Sequence, residues 1–483
     1  MSIARALGNA MSGLTATARG TETVAANLAN AATPGYARRE MAVSAQTAGG
    51  NAGGVRIDGV TRAVNASVLS ESRLAEAARA EASTRLAFAK QIEDRIGIAG
   101  STGGLGAALG DFRTALSSAA SRPDDEIRLT QAVDKAQILA NRLNAASDQV
   151  QAARSAADQA IATDVARLNK SLAEIAHLNR RIAMLEADGS DPSSLLDQRQ
   201  GIIGEISKIV PVQEVTRPAG AVALFTAGGA VLLDGTTPTE LSFTAAGQVT
   251  AAQTAGSGLA LLTQNGAELT QSQMQLYAGG SLAANFAVRD ELAPAVQALL
   301  DDLAFELHER LADPAVDGTL AATSAGLFTD DGARASLSGK TGLAGRIGIN
   351  DAVVENAGGA AWRLRSGLNA ATEGAVGDST LLVAISAALD RSTLFPGTGF
   401  SGKASLTDRF GTVESLVSTA RVNAQSDAAI RNSQADTISS RLAADGVDSD
   451  AEMQRLLRYE QAYAANARVI QAIQTMMDQI LGI

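Results

Sequence analysis

The chain has 483 residues, 46% of them hydrophobic and only 3% aromatic, with a formal net charge of −11 and no cysteine. Length asks for roughly two to four domains. The missing thiols exclude disulfides and any Cys-ligated zinc, and the acidic balance argues against a broad nucleic-acid surface, which needs clustered Lys and Arg.

The first element is the clearest. Ile3, Leu7, Ala10, Leu14, Thr17, Thr21, Val24 and Leu28 alternate in steps of four and three, an a/d seam that predicts an amphipathic helix up to about residue 31. It is not a secretory signal, because Asn9, Ser12, Thr15 and Arg19 interrupt any apolar h-region, so export would have to proceed without a cleaved leader. Asn27, Asn30, Pro34, Gly35 and Tyr36 then form a stop, since a Pro-Gly pair cannot continue a helix and Thr33 before proline is biased out of the helical region. This stop reads as a joint, with Tyr36, Arg38 and Arg39 placed to contact neighbouring molecules.

Helical periodicity predicts elements over about 62–97, 107–120 and, after Pro123, a long run carrying Leu143, Val150, Ile161, Leu168, Leu172, Ile175 and Ile182. Asp124, Asp125 and Glu126 favour the start of that run. A further helix, "LLDQRQGIIGEISKIV", closes at Pro211. From 211 to about 280 the chain turns Val/Leu/Thr-rich, and Gly228-Gly229, Asp234-Gly235 and Asn265-Gly266 signal hairpins. Helix returns over 285–312 and about 411–443, and the Gly-rich stretch 313–410 between them is mixed.

The last helix, about 450–481, carries a second seam of Leu456, Tyr459, Tyr463, Asn466, Ile470, Ile473, Met477 and Ile480, opened by a capping box with Ser449 at the N-cap and Glu452. No apolar run approaches the roughly 18 residues of a membrane span. The pattern as a whole predicts a mainly α fold with an inserted β region. It would be an elongated molecule with its N- and C-terminal helices paired as a coiled coil, a helical-bundle body and an outer β domain. Residues 1–40 and 446–483 form the terminal domain, 41–210 and 285–445 the body, and 211–284 the β region. The helix–β–helix nesting predicts a rod with the termini at one end and β material at the other.

Candidate chemistry is sparse. "GTGFSGKA", from Gly397 to Ala404, fits a phosphate loop except that Ala404 replaces the Mg²⁺-binding hydroxyl, and the "GKT" at 339–341 lacks its first glycine. His177 and His308 are the only histidines; neither has metal-ligand spacing, and both read as members of polar helix faces. Neither a catalytic constellation nor a cofactor or metal site is expected. A nucleotide-binding enzyme using Gly397–Lys403 is the distant alternative.

"NLANAATPGY" at 27–36 and "GVDSDAEMQRLLRYEQAYAANARVIQAIQTMMDQIL" at the C-terminus resemble the shared ends of flagellar axial proteins. Three interior strings, "GGVRIDGVTRAVNASVLSESRLAEA", "DPSSLLDQRQGIIGEISKIVPV" and "GSLAANFAVRDELAPAVQALLDDLAFEL", narrow the resemblance to the hook-associated protein 1 family, most tellingly through Leu195, Leu196, Asp197, Gln198 and Arg199. The chain departs from that family's usual ends at Asp445-Gly446-Val447-Asp448 and at Ala462. The resemblance implies a non-enzymatic, secreted, extracellular subunit that joins flagellar hook to filament by helical self-assembly. It implies as partners the hook protein, hook-associated protein 3, a cytoplasmic export chaperone on the C-terminal helix and the flagellar type III export apparatus, with neither nucleic acid nor membrane. The terminal helices would line the export channel and stay largely disordered before assembly. A hook or rod protein, or hook-associated protein 3, is the nearer alternative.

Overall fold

Alanine-rich runs with an apolar residue every three or four positions become helices, and Val/Thr-rich runs broken by glycine become strands, in the computed structural model of the chain. It describes residues 3–33, 35–48 and 51–482. The N-terminal helix α1 spans Ile3–Ala29. A hairpin follows, β1 (Arg39–Ala48) and β2 (Asn51–Arg62), antiparallel, with register shifts after Ala42 and Ala45. Then come α2 (Ala66–Ile96), α3 (Leu105–Ser121), α4 (Glu126–Ala187) and α5 (Ser193–Ile209).

The β region is a meander. Strands β3 (Val212–Thr216), β4 (Val222–Thr226), β5 (Val231–Asp234) and β6 (Thr237–Pro238) form one antiparallel sheet in sequence order. Short pieces β7 (Leu241–Ser242), β10 (Thr263–Gln264) and β11 (Ala267–Glu268) form a second sheet in the order β11-β10-β7, and β8 (Thr254–Ala255) pairs in parallel with β9 (Gly258–Leu259). The predicted Asn265-Gly266 turn joins β10 to β11 with φ of 51° and 83°, the left-handed pair that a two-residue hairpin requires. Helices α6 (Gln271–Met274) and α7 (Gly280–Ala287) and a π-helical turn, Val288–Leu292, lead into α8 (Ala293–Leu311). Strands β12 (Phe328–Asp330) and β13 (Ile347–Ile349), then α9 (Arg363–Ser366) and α10 (Thr380–Asp390), occupy the mixed stretch. Two long helices close the chain, α11 (Leu406–Ala444) and α12 (Ser449–Leu481).

Helix α4 is the spine. Its 62 residues rise about 93 Å at ~1.5 Å each, and Asp125 caps it by accepting from the Ile127 and Arg128 N–H groups. Its first half, from Leu129 to Ala157, shares one core with α3, α8, α10, α11 and the 327–368 segment. Its second half, from Ile161 to Ala176, shares another with α5 and the β meander. The mixed stretch 313–410 is therefore built into the body core: Phe328 stacks edge-on against Phe112 at 6.0 Å, and both are buried.

Four expectations need correction. Residues 39–62 form a hairpin where helical body was expected. The alternation of Val55 and Ile57 with Arg56 and Asp58 is the strand signal, and Asn65 starts α2 by capping Val68. The N-cap of α12 is Asp448, whose carboxylate accepts from Asp450 and Ala451; Ser449 is already helical. The β meander does not lie at the end opposite the termini. It packs on the C-terminal half of α4, beside α5, because Asn169 and Asn179 bond the backbone of Leu241, Val222 and Gly235. Finally, His308 is on no polar face. It is fully buried, with Nδ1 on the Phe328 carbonyl at 2.8 Å and Nε2 accepting the Ala335 N–H at 3.1 Å, an arrangement that only the neutral ring satisfies.

Candidate assembly interface and its joint

The terminal helices run antiparallel along one another. Their register is set by close contacts at heptad spacing. The Tyr459 ring lies over Gly20 and the Asn466 amide over Gly13. A Cβ added at those glycines would stand 2.5 Å from Tyr459 Cζ and 2.7 Å from Asn466 Nδ2. Seven residues further along α1, Asn27 meets Glu452, seven before Tyr459. Glycine serves here as a notch that lets a large partner side chain approach the helix backbone. The hairpin braces α1 from the side, with Ser12 Oγ accepting the Val55 N–H.

The predicted seam residues divide into three groups. Val24 and Ile473 are buried in the pair. Ile3, Leu7, Leu14, Leu28, Leu456, Tyr459 and Ile470 are half-buried. Tyr463, Met477 and Ile480 are 47%, 42% and 61% exposed, so within one chain they are not seam positions. Met453, Leu457, Val469 and Met476 of α12 are exposed as well, the first two on a different side of the helix from the last two. Burial of the two seams is therefore only partly realised in the single chain.

At the base of the pair, Asn27 is fully buried and uses all of its amide. It donates to the Arg39 carbonyl at 2.9 Å and to Glu452 Oε2 at 3.1 Å. Its Oδ1 accepts the Tyr36 hydroxyl and the Arg39 N–H, both at 2.9 Å. Asn30 turns back to bond the Ala26 carbonyl, and Gly35 adopts φ of 80°, a left-handed conformation that favours glycine. Pro34 lies outside the described residues. Glu452 is buried and also receives Arg455 at 2.6 Å and Arg38 at 3.8 Å. Arg39 stacks over the Tyr36 ring at 5.1 Å. Burial pushes the Tyr36 hydroxyl pKa up. Tyr36, Arg38 and Arg39, expected to reach neighbouring molecules, thus have partners within the chain: Asn27 for Tyr36, Glu40 and Glu452 for Arg38, and Asp197 for Arg39, whose Nε is nonetheless buried without a hydrogen-bond partner.

The five-residue family string sits on α5 and ties three parts together. Leu195 packs with Leu178 and Ile182, and Leu196 lies against the same cluster. Asp197 accepts Arg62 Nε at 2.8 Å and the Ala37 N–H at 3.3 Å, with Arg39 at 3.6 Å. Gln198 is exposed and reaches Glu174 at 3.4 Å. Arg199 is buried, donates to Asn179 Oδ1 and the Gly220 carbonyl, and has its pKa lowered by that burial. Sequence reasoning missed Gly13, Gly20, Arg62 and the role of Glu452. The seven-residue spacing of Gly13, Gly20 and Asn27 was the available signal.

The two phosphate-loop look-alikes meet at one carboxylate. Lys340 Nζ bonds Asp302 Oδ1 at 2.5 Å and the Gly397 carbonyl at 2.8 Å, and the Gly399 N–H donates to Asp302 Oδ2 at 2.6 Å. A buried carboxylate thus stands where a phosphate would have to be cradled. His177 is exposed on α4. Among the described residues no group of three or more His, Cys, Asp or Glu is placed to hold a metal ion, and no helix is long and apolar enough to cross a membrane.

Comparison with known proteins agrees in chain order. Residues 7–36 match the flagella basal body rod protein family, 89–324 the flagellar hook-associated protein FlgK helical domain, and 438–483 the flagellar basal body rod FlgEFG protein C-terminal family. Flagellar hook-associated protein 1 of Salmonella typhimurium is 30% identical over 243 residues, covering 49% of this chain and 44% of the relative. The Escherichia coli protein of that name is 28% identical with the same coverage, and the Bacillus subtilis one 27% identical over 44% of each chain. The matched stretch thus spans less than half the length of these relatives. The flagellar hook junction protein FlgK from Burkholderia pseudomallei superposes with a TM-score of 0.45 at 23% identity, over 54% of this chain and 46% of that one. With a match to a hook-associated helical domain set between matches to rod-type N- and C-terminal segments, the chain is similar in domain order and sequence to flagellar hook-associated protein 1.

Proposed function

We propose that this protein is a structural, non-enzymatic subunit of the bacterial flagellum that forms the junction between hook and filament by helical self-assembly. One observation carries the reading. The α1–α12 pair is joined to the body through a hydrogen-bonded joint, yet α12 leaves the large apolar side chains of Met453, Leu457, Val469, Met476 and Ile480 exposed. Exposed apolar surface rimmed by polar residues marks an interaction site, and head-to-tail contacts between unlike faces build open helical assemblies.

On this reading residues 1–40 and 446–483 form the inner layer of the junction, α2–α5 with 285–445 the next shell, and the 211–284 meander an outer surface. One face of the ring meets the hook protein and the other hook-associated protein 3. The subunit reaches its extracellular site through the flagellar type III apparatus, escorted by a cytoplasmic chaperone on α12. Labelled-antibody microscopy of purified hook–filament preparations tests the assignment. A narrow band at the junction is expected. Label along the hook, rod or filament would move the chain to another axial role, which its rod-type ends also fit.

A further inference from the structure

The α1–α12 pair meets the rest of the molecule at few points: the loop after α1, the hairpin, and the short turn between α11 and α12. Beside them opens a cleft of about 570 Å³, bounded by Gly35, Tyr36, Arg62, Gly201 and Leu442. Such a joint can swing unless a specific contact holds it. Two carboxylates are in place to do so, and their partners differ in kind. Glu452 bonds Asn27, Arg38 and Arg455, all of which belong to the terminal segments, so it holds that unit together from within. Asp197 belongs to the body, and its partners Ala37, Arg39 and Arg62 all lie on the loop and hairpin.

We propose that Asp197 is the positioning residue that sets the angle between the terminal helix pair and the body. Arg62 places both Nε, at 2.8 Å, and Nη2, at 2.7 Å, on Asp197 Oδ1. Arg39 approaches the other oxygen, and through Tyr36 and Asn27 the contact continues to Glu452 on α12. The side chains of Asp197 and Arg62 are 13% and 12% exposed, so salt screens the pair far less than a surface pair. A planar guanidinium on a carboxylate is also directional, which fixes an angle where a point charge would fix only a distance. The presentation of the exposed apolar side chains of α12 to a second copy then depends on a body residue that does not itself touch α12.

The absence of cysteine permits a direct test in the full chain. Spin labels at Ala18→Cys on α1 and His177→Cys on α4 report the angle by double electron–electron resonance. Labels at Ala18→Cys and Gln461→Cys report the integrity of the pair itself. All three positions are exposed. Asp197→Asn is expected to replace the single narrow 18–177 maximum with a broad distribution while leaving 18–461 narrow. Asp197→Glu, which keeps the charge, is expected to recover one maximum at a shifted distance. An unchanged 18–177 distribution in Asp197→Asn overturns the proposal. So does broadening of both pairs, which would mean that the helices had come apart, and so does a broad distribution in Asp197→Glu. Microscopy of the unmodified protein tests the junction assignment independently, so either idea can fail alone.

Discussion

The body and the terminal pair use the same kind of sequence, long helices with an apolar stripe, and reach opposite states. In the body, α4 buries Leu139, Leu143, Val150, Ile161, Leu168 and Leu172 at 0% exposure, because neighbours close over its stripe from several sides. In the pair, α1 and α12 have mainly each other and the hairpin, and α12 keeps six large apolar residues and Tyr463 at 42–61% exposure. Periodicity alone does not distinguish a helix that is satisfied within its chain from one that awaits a second chain. The number of covering elements does.

The largest break in this contrast should come from the body. Leu143→Ala removes a fully buried side chain and should cost about 2–5 kcal/mol, lowering the denaturant midpoint of the whole body core. Gly20→Ala comes next. Its Cβ would collide with the Tyr459 ring, and overpacking of this kind costs about 1–3 kcal/mol. That loss should stay local: hydrogen exchange should quicken over α1 and α12 and stay unchanged in α4. An equal change in α4 would show that the two regions unfold as one.

Titration should also separate the regions, since the buried His308 lies in the body and the buried Tyr277 in the β region, both outside the terminal pair. Burial lowers the His308 pKa from its ordinary 6.5, so the folded state resists taking that proton. The corresponding stability is present above pH 6.5 and is lost as pH falls through the depressed value. Burial pushes the Tyr277 hydroxyl up to about 12 from 10, so the folded state holds its proton longer than the unfolded one. Stability should therefore decline as pH rises from 10 towards about 12. His308→Asn should flatten the acid limb of a pH–denaturation profile, and Tyr277→Phe the alkaline limb.

The smallest effect sharpens the comparison most. Ile480→Ser should change single-chain stability by no more than about 0.5 kcal/mol, because the side chain is already 61% exposed. If this exposed end of α12 is an assembly surface, sedimentation of reconstituted polymers should show a clear loss. Unchanged polymerisation would remove this position from the interface. Before assembly, exchange over 455–480 should be faster than in α4, consistent with surface that still lacks its cover.

Local pattern was enough to read α4, α5, α8, α11 and α12, because a 3.6-residue period is written within a few turns and needs no partner to be visible. The Asn265-Gly266 turn was legible for a similar reason, since φ above zero at consecutive positions selects those residue types. The first hairpin was not read, because its strands are short of large apolar residues and interrupted by glycine. The mixed stretch 313–410 was opaque because it folds on α4 and α8 and carries little regular structure of its own.

Within the joint, the sequence alone pointed to Asn27, Gly35, Tyr36 and the Leu195–Arg199 string as special positions. It did not say what they touch. Asn27 and Glu452 lie 425 positions apart, and Arg62 and Asp197 lie 135 apart. Conformational bias decides where a helix ends to within a residue or so, and that much belongs to the sequence by itself; the cap of α12, Asp448 and not Ser449, did not follow from it. The choice of Tyr459 for the Gly20 notch, of Asp197 for Arg62, and of which apolar stripe stays open depends on shape and charge meeting across the chain, and only the tertiary structure decides it.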